Sequence, residues 1–331
     1  MMPGETMPGR GSRVLVTGAT GFVGRSLCDA LARSGFLVRA AVRDARRSPP
    51  SVTESAAMND LGADTQWGSL LRGVDCVIHL AARAHILNDP PANAGAYRRV
   101  NTLGTLNLAI QAAEAGARRF IFLSSVKVNG EATPAGSFTA DDPPAPADAY
   151  GESKLEAERH VLEVGASSAM EVAIVRPPLI YGPGVKANFL RLMRWVDKER
   201  LLPLGGVSNR RSLVSIWNLC DLLMLLIASP HASRRVWMVS DGDPLSTPEL
   251  IRRLARAMHR RARLVPVPAG LLRTLAAGLG FRGEVERLCG SLVVDISATQ
   301  RDLGWSPPVA VDEALSRTAQ WYLSQVPSRA R

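Results

Sequence analysis

Tyr150 and Lys154 stand four residues apart in the segment Tyr150-Gly-Glu-Ser-Lys154, a spacing that puts both side chains on one face of a helix. An ammonium beside a phenol has a definite chemical use. A free phenol titrates near pH 10, so roughly one molecule in a thousand is ionised at neutrality, and a nearby positive charge favours the phenolate. A downward shift of about three units, worth ~4 kcal/mol, turns the tyrosine into a working general acid or base. Ser124 and Ser125 follow the apolar run Phe120–Leu123, at the carboxyl edge of an expected strand, where open α/β sheets place their ligands. Ser125 is then able to hydrogen-bond the same substrate oxygen as Tyr150. The expected catalytic set is Ser125, Tyr150 and Lys154.

A second chemical signal lies near the start of the chain. Val14-Leu-Val-Thr-Gly18-Ala-Thr20-Gly21-Phe22-Val23-Gly24 reads as an apolar strand, a glycine-rich turn and the opening of an amphipathic helix. Gly18 permits the tight turn, Gly21 lets backbone N–H groups approach a pyrophosphate at the positive helix end, and Gly24 lets helix and strand pack closely. Thr20, Phe22 and Val23 complete the turn. The segment predicts a bound nicotinamide dinucleotide, whose oxidised ring adds to Lys154 a second positive charge favouring the Tyr150 phenolate. An acidic residue at the end of the second strand favours NAD(H), whereas an arginine there suits the 2′-phosphate of NADP(H). Val42 and Arg43 occupy that place and Asp44 comes late, which favours NADP(H), with NAD(H) as the alternative.

These residues need a scaffold that alternates strands with helices. Apolar periodicity predicts strands at Val14–Thr17, Leu37–Val42, Cys76–Leu80, Phe120–Ser124 and Val172–Val175, and helices at Phe22–Arg33, Ala96–Ala115 and Tyr150–Val164. Alternation of this kind is the signature of an α/β, Rossmann-type doubly wound parallel sheet. After Arg176 the breakers Pro177, Pro178, Gly182, Pro183 and Gly184 change the pattern. We therefore expect a flexible leader at 1–12, a dinucleotide-binding domain at 13–176, a smaller α/β substrate lobe at 177–326 with chain crossing between the two, and a tail at 327–331. Ala132–Ala147, rich in proline and small residues, is a loop by composition and is expected to border the site.

From Arg13 to Gln325 the chain resembles the extended short-chain dehydrogenases/reductases, and among them the nucleotide-sugar epimerases, dehydratases and reductases. The resemblance is carried by the glycine turn, Asp60-Leu61, His79-Leu-Ala-Ala82, Asn101 with Gly104-Thr105, the Ser125, Tyr150 and Lys154 set, Arg176-Pro177 and Tyr181-Gly-Pro-Gly184. It implies that Asp60, Leu61, Leu80, Ala81, Ala82, Asn101, Ser124 and Pro177 contact the dinucleotide together with Tyr150 and Lys154. It also implies a UDP-sugar held by Ser125, Val126, Tyr150, Asn188 and Arg211, the last pairing with a phosphate through its fork of donors. Dehydratases of this type place an Asp-Glu pair after the catalytic hydroxyl residue. Here Val126 and Lys127 stand there, which argues against elimination. Asn129 replaces a tyrosine usual in the epimerases, and the wording Ser-Ser-Val-Lys-Val-Asn-Gly-Glu131 is similar to reductases of UDP-linked 4-keto-6-deoxy-N-acetylhexosamines made for surface polysaccharide. The leading expectation is therefore reduction of such a 4-ketone, with UDP-hexose 4-epimerisation as the alternative and a non-catalytic dinucleotide sensor as a remote one. The same resemblance implies a homodimer formed through the helices Ala96–Ala115 and Tyr150–Val164.

Composition excludes several other classes. With 331 residues and 46% hydrophobic content, the chain is long enough for one large core or two smaller ones. The four cysteines, Cys28, Cys76, Cys220 and Cys289, are far apart with no C-x-x-C pair, which predicts free thiols in a reducing, cytoplasmic setting and no metal. The longest apolar stretch outside the sheet, Leu222–Ala228, is far short of the ~20 residues that cross a bilayer. The net charge of +10 is spread as single and paired arginines, such as Arg252 with Arg253 and Arg260 with Arg261, without interleaved aromatics, so no nucleic-acid partner is expected.

Overall fold

In the computed structural model, which describes residues 8–58, 60–83, 94–133, 135–233, 235–278 and 282–326, strands and helices alternate through the first half of the chain. They run β1 (Arg13–Thr17), α1 (Phe22–Arg33), β2 (Leu37–Val42), β3 (Glu54–Ala57), α2 (Gly68–Leu71), β4 (Cys76–His79), α3 (Ala94–Tyr97), α4 (Gly104–Glu114), β5 (Arg119–Leu123), α5 (Ala149–Ala166) and β6 (Glu171–Arg176). The second half contributes β7 (Leu179–Tyr181), α6 (Ala187–Asp197), β8 (Leu213–Ser215), α7 (Ile216–Ala228), β9 (Arg235–Met238), α8 (Thr247–Ala257), α9 (Ala269–Gly278), α10 (Arg282–Cys289), α11 (Ser297–Leu303) and α12 (Val311–Gln325). The main sheet has seven strands in the order β3-β2-β1-β4-β5-β6-β9, and every pairing in it is parallel. The fold is thus the expected doubly wound α/β sheet.

Parallel sheets are covered on both faces, so their strands carry nearly continuous apolar runs. β4 is buried at every position. One face packs Leu27, Cys28 and Leu31 of α1 against Leu219, Leu222 and Leu226 of α7; the other packs Leu108 and Ala112 of α4 against Ala157 and Val161 of α5. A separate core in the second lobe gathers Phe189 and Met193 of α6, Leu254 of α8, Leu315 of α12 and Tyr181. All four cysteines are buried and free. No helix among the described residues is long and apolar enough to cross a membrane.

Two features depart from the sequence-based expectations, and a third locates the crossing of the chain between lobes. β3 was not foreseen, because Glu-Ser-Ala-Ala lacks β-branched residues and lies at the sheet edge, half exposed. β9 lies well past residue 176 yet pairs with β6 in the main sheet, so the chain returns to the first lobe after β8 and α7. Within the expected flexible leader, residues 9–12 are tied down: Gly11 N donates to Gly35 O at 2.9 Å and Gly9 N to Ser12 Oγ at 3.0 Å. Residues 1–7 and 327–331 lie outside the described residues.

A buried polar cluster fixes the carboxyl end of β5 to its neighbours. Arg176 meets Glu158 with two parallel bonds, Nε to Oε1 at 2.9 Å and Nη2 to Oε2 at 2.6 Å, and the two side chains are 4% and 3% exposed. Ser124 Oγ donates to the same carboxylate, and Asn129 Oδ1 accepts from Arg176 Nη1 at 3.1 Å. Removing one partner of such a pair leaves a buried charge uncompensated. Glu158→Ala is therefore expected to lose about 3–5 kcal/mol of stability, read as a lower midpoint in chemical denaturation. A loss below ~1 kcal/mol, the value of a surface pair, contradicts this account.

Candidate active site

The sheet order reverses direction between β1 and β4, and a crevice opens there at the carboxyl ends of the strands. Gly18 forms its floor. Its φ of 70° is left-handed, and a Cβ on it would stand 2.9 Å from Ala81 N. At Gly24 a Cβ would stand 2.1 Å from Gly18 O, so only glycine lets α1 lie this close to the turn. No side chain caps the start of α1 and its first turn holds no acidic residue. The orphan N–H groups and the positive helix end are left to an anion.

A cavity of about 460 Å³ continues from this turn, lined by Gly18, Thr20, Gly21, Arg43, Asp60, Leu61, Leu80, Ala81 and Ala82 of the expected cofactor residues. Met58, Arg83, Arg99 and Val100 also line it, and motif reading missed all four because their roles depend on where β3 and the helix after β4 are placed. Arg99 pairs with Asp60 at 3.6 Å. Phe22 and Val23 pack at the start of α1 as half-buried residues of the core. The anion-accepting turn, the glycine clearance and the apolar walls fit a dinucleotide. A similar hollow of about 420 Å³ between α1 and α7 holds none of the expected site residues.

The catalytic set comes together where β5 ends beside α5. Ser125 begins a short 3-10 turn over Val126–Val128 and its Oγ accepts from Lys127 N at 3.2 Å. Asp148 caps α5, Oδ1 accepting from Gly151 N at 2.8 Å, so Tyr150 lies in the first turn. Lys154 is fully buried; its Nζ donates to Leu123 O at 2.7 Å and lies 4.0 Å over the Phe122 ring. Tyr97 of α3 meets the Tyr150 ring edge-on, with centroids 6.2 Å apart.

The electrostatics of the protein alone supply the part of the phenol's environment that does not come from a cofactor. Burial pushes the Tyr150 phenol up to about 12, the Asp148 carboxylate adds to the rise, and a hydrogen bond with the Ser125 side chain opposes it. Burial lowers Lys154 to about 7, against the pull of Glu158. A lysine whose Nζ donates a hydrogen bond to a backbone carbonyl and sits against an aromatic ring does not by itself bring the phenol down as far as expected. The depressed phenol expected from Lys154 and an oxidised nicotinamide together therefore leans on the second of these charges.

The remaining expected residues divide into two groups. Asn101 lies in a π-helical stretch, Arg98–Leu103, within the expected helix Ala96–Ala115. Its amide is committed to protein: Oδ1 accepts from Arg83 N at 2.7 Å, and Nδ2 donates to Arg83 O at 3.1 Å and Ser153 Oγ at 3.0 Å. Through these bonds Asn101 ties the segment after β4 to the tyrosine helix. Ser124 is likewise turned into the Glu158 cluster, and Val126 is core, 4% exposed, with its N–H donating to Pro177 O at 3.0 Å. The side chain of Ser124 is thus engaged by the Glu158 carboxylate, and that of Val126 is buried where the 3-10 turn begins. Asn188, in the first turn of α6, accepts from Arg191 Nη2 at 3.2 Å, and Arg211 donates to Gly290 O at 2.9 Å. Both belong to the second lobe.

His79 is a positioning residue that the motif located without explaining. Thr105 Oγ1 donates to Asn101 O at 2.6 Å, so it accepts from His79 Nε2 at 2.9 Å. At the other edge of the ring Nδ1 accepts from Thr17 Oγ1 at 2.6 Å, while Thr17 Oγ1 accepts from Ala81 N at 3.2 Å. Burial holds the imidazole down near 3, hence neutral. This chain of bonds locks the ends of β1 and β4 and the start of α4 around the glycine turn.

Residues 14–239 match the model of the NAD dependent epimerase/dehydratase family. The chain belongs to that family. It is an enzyme of the extended short-chain dehydrogenase/reductase type. Across 314 residues it is 45% identical to the UDP-glucose 4-epimerase of Vibrio cholerae, covering 94% of this chain and 95% of that protein. It is 28% identical over 335 residues to the 3 beta-hydroxysteroid dehydrogenase/Delta 5-->4-isomerase of Mycobacterium tuberculosis H37Rv, covering 94% and 90% of the two chains. Among solved structures, MoeE5 in complex with UDP-glucuronic acid and NAD superposes with a TM-score of 0.76 at 26% identity, covering 95% of this chain and all of the other. Both likenesses run nearly the full length of the chain, and the one to the sugar 4-epimerase is at the higher identity.

Proposed function

We propose that the chain is a UDP-hexose 4-epimerase that uses NAD(H), and that Ser125, Tyr150 and Lys154 perform the chemistry at C4. The observation that carries this reading is the full-length 45% identity to the Vibrio cholerae UDP-glucose 4-epimerase in a chain that keeps all three groups at the β5 edge. Tyr150 takes the proton of the C4 hydroxyl as the C4–H bond breaks, and returns it when hydride reaches the opposite face of the turned 4-keto sugar. Ser125 hydrogen-bonds the same oxygen, and Lys154 keeps the floor of the site fixed through the Leu123 carbonyl. The glycine turn and the walls around Arg43, Asp60 and Ala81 hold the dinucleotide, which supplies, when bound, the hydride acceptor and a positive charge near the phenol. Asn188 and Arg211 are proposed to meet the sugar diphosphate.

The 4-ketoreductase reading leaned in part on Asn129, which is 3% exposed and bonded to Arg176 and to Thr139 O. Its side chain serves the buried cluster and carries no information about the sugar. The preference for NADP(H) drawn from Arg43 finds no support in MoeE5, whose complex contains NAD. In the same reading the enzyme is a cytoplasmic homodimer joined through α4 and α5, which leaves Ile110 of α4 40% exposed in the single chain.

Incubation of the purified enzyme with UDP-glucose and with UDP-N-acetylglucosamine, followed by chromatography of the nucleotide sugars, tests the assignment. The expected result is interconversion with the corresponding C4 epimer and no net oxidation or reduction of dinucleotide. Stoichiometric consumption of NADH or NADPH with a 4-keto substrate, and no epimer formed, overturns it in favour of the reductase.

A further inference from the structure

Lys127 lies on the 3-10 turn immediately after Ser125, and its Nζ stands 2.6 Å from Glu131 Oε1 and 2.5 Å from Asp148 Oδ2. Asp148 uses its two oxygens for different purposes. Oδ1 starts α5 by accepting from Gly151 N, and Oδ2 faces Lys127. A helix start favours an aspartate for its acceptor oxygen, but this one is two residues from the phenol, and a like charge there opposes formation of a phenolate.

We infer that Lys127 is a positioning residue for proton transfer at Tyr150, holding and neutralising the Asp148 carboxylate while tying the turn that carries Ser125 to the helix that carries the phenol. The inference rests on the assignment of Tyr150 as acid and base. The groups acting on the phenol are Asp148, which caps its helix, Ser125 from the turn after β5, and Tyr97 from α3, over whose ring Arg83 stacks at 5.1 Å; Lys127 acts through Asp148, and Lys154 of the same helix turns its Nζ to the Leu123 carbonyl. Within this set Lys127 offsets the carboxylate that raises Tyr150. Its side chain is 21% exposed and that of Asp148 25%, so solvent screens the pair in part. At such exposure an uncompensated charge a few residues away moves a neighbour by about 0.5–1 pH unit.

The test is a phenolate absorbance titration of the NAD-loaded enzyme, with the Tyr150→Phe spectrum subtracted to isolate Tyr150. In Lys127→Met the Tyr150 midpoint is expected to rise by about 0.5–1 unit, and the rising limb of the kcat–pH profile moves with it. Below that limb kcat falls roughly 3–10-fold, while KM changes less than twofold. Lys127→Arg restores both. Asp148→Asn keeps a capping oxygen and removes the charge, so it lowers the midpoint, which gives a second reading should Lys127→Met fold poorly. An unmoved midpoint in folded Lys127→Met, or an unmoved midpoint in Asp148→Asn, overturns the inference. Failure of the underlying assignment looks different, because Tyr150→Phe would then keep its turnover.

Discussion

Tyr150→Phe is expected to lower kcat by roughly 10²–10⁴-fold, the range over which a positioned acid or base contributes, while NAD affinity changes by less than about tenfold. The substitution keeps the ring that packs edge-on against Tyr97 and removes the hydroxyl alone. No neighbour can replace it. Lys154 is buried and donates to the Leu123 carbonyl, and Ser125, an alcohol, holds its proton far more tightly than a phenol. The pH dependence carries the sign of the assignment. With the phenol pushed up by burial and Asp148, the protonated form dominates at neutral pH and the base form grows as pH rises. Wild-type turnover, which begins with loss of the C4 hydroxyl proton, therefore increases with pH up to the Tyr150 midpoint, and the residual rate of the variant lacks that limb. Steady-state kinetics across the limb, with NAD binding measured separately, check both parts. Retention of more than a tenth of wild-type kcat removes the phenol from the mechanism.

Gly24→Ala is the substitution expected to damage cofactor binding most. The added Cβ would lie 2.1 Å from Gly18 O, 2.6 Å from Ala19 Cα and 2.8 Å from Gly18 C. All three are backbone atoms of the turn itself, so no side chain can swing aside. Either α1 moves off β1 or the turn opens. Both displace the N–H groups that meet the pyrophosphate. We expect NAD affinity to fall more than about tenfold, together with a stability loss of at least the ~1–3 kcal/mol typical of an overpacked interior. Gly68→Ala serves as control: it starts α2, and a Cβ there meets nothing within 4 Å. Calorimetric titration with NAD and thermal denaturation of the two variants provide the comparison. Equal affinities for both would show that close packing at Gly24 is unnecessary for the turn to hold the dinucleotide.

The parts of the site legible in the chain were those whose signal is local. Tyr150 and Lys154 share a helix, and Gly18, Gly21 and Gly24 share one strand-turn-helix unit, so their spacing and the geometry they need are written within a few residues of each other. Ser125 was found because an apolar strand ends beside it. For the same reason Leu37–Val42 and Phe22–Arg33 coincide with β2 and α1, where periodicity is strong and the ends are marked by turn residues.

Tertiary structure decided what depends on partners distant in sequence. Motif position placed Asn101, Ser124 and Val126 beside the cofactor and substrate, but did not show the bonds of Asn101 to Arg83 and Ser153, the bond of Ser124 to Glu158, or the burial of Val126 in the 3-10 turn, all of which come from the fold. β3 and β9 were invisible because edge strands with few β-branched residues are specified by the neighbour they pair with. The direction of the Tyr150 shift belongs to the same class: helical spacing shows which charge shares a face with the phenol, but not that the ammonium turns to a carbonyl while a capping aspartate stays near. Amino-acid order alone determined the fold class, the glycine turn and the choice of Ser125, Tyr150 and Lys154 as the proposed catalytic groups, since these follow from short-range sterics and periodicity. Their surroundings and the commitment of each polar side chain depend on desolvation and on contacts between elements distant in sequence, such as Lys154 with the Leu123 carbonyl and Asn101 with Ser153, which no local pattern encodes.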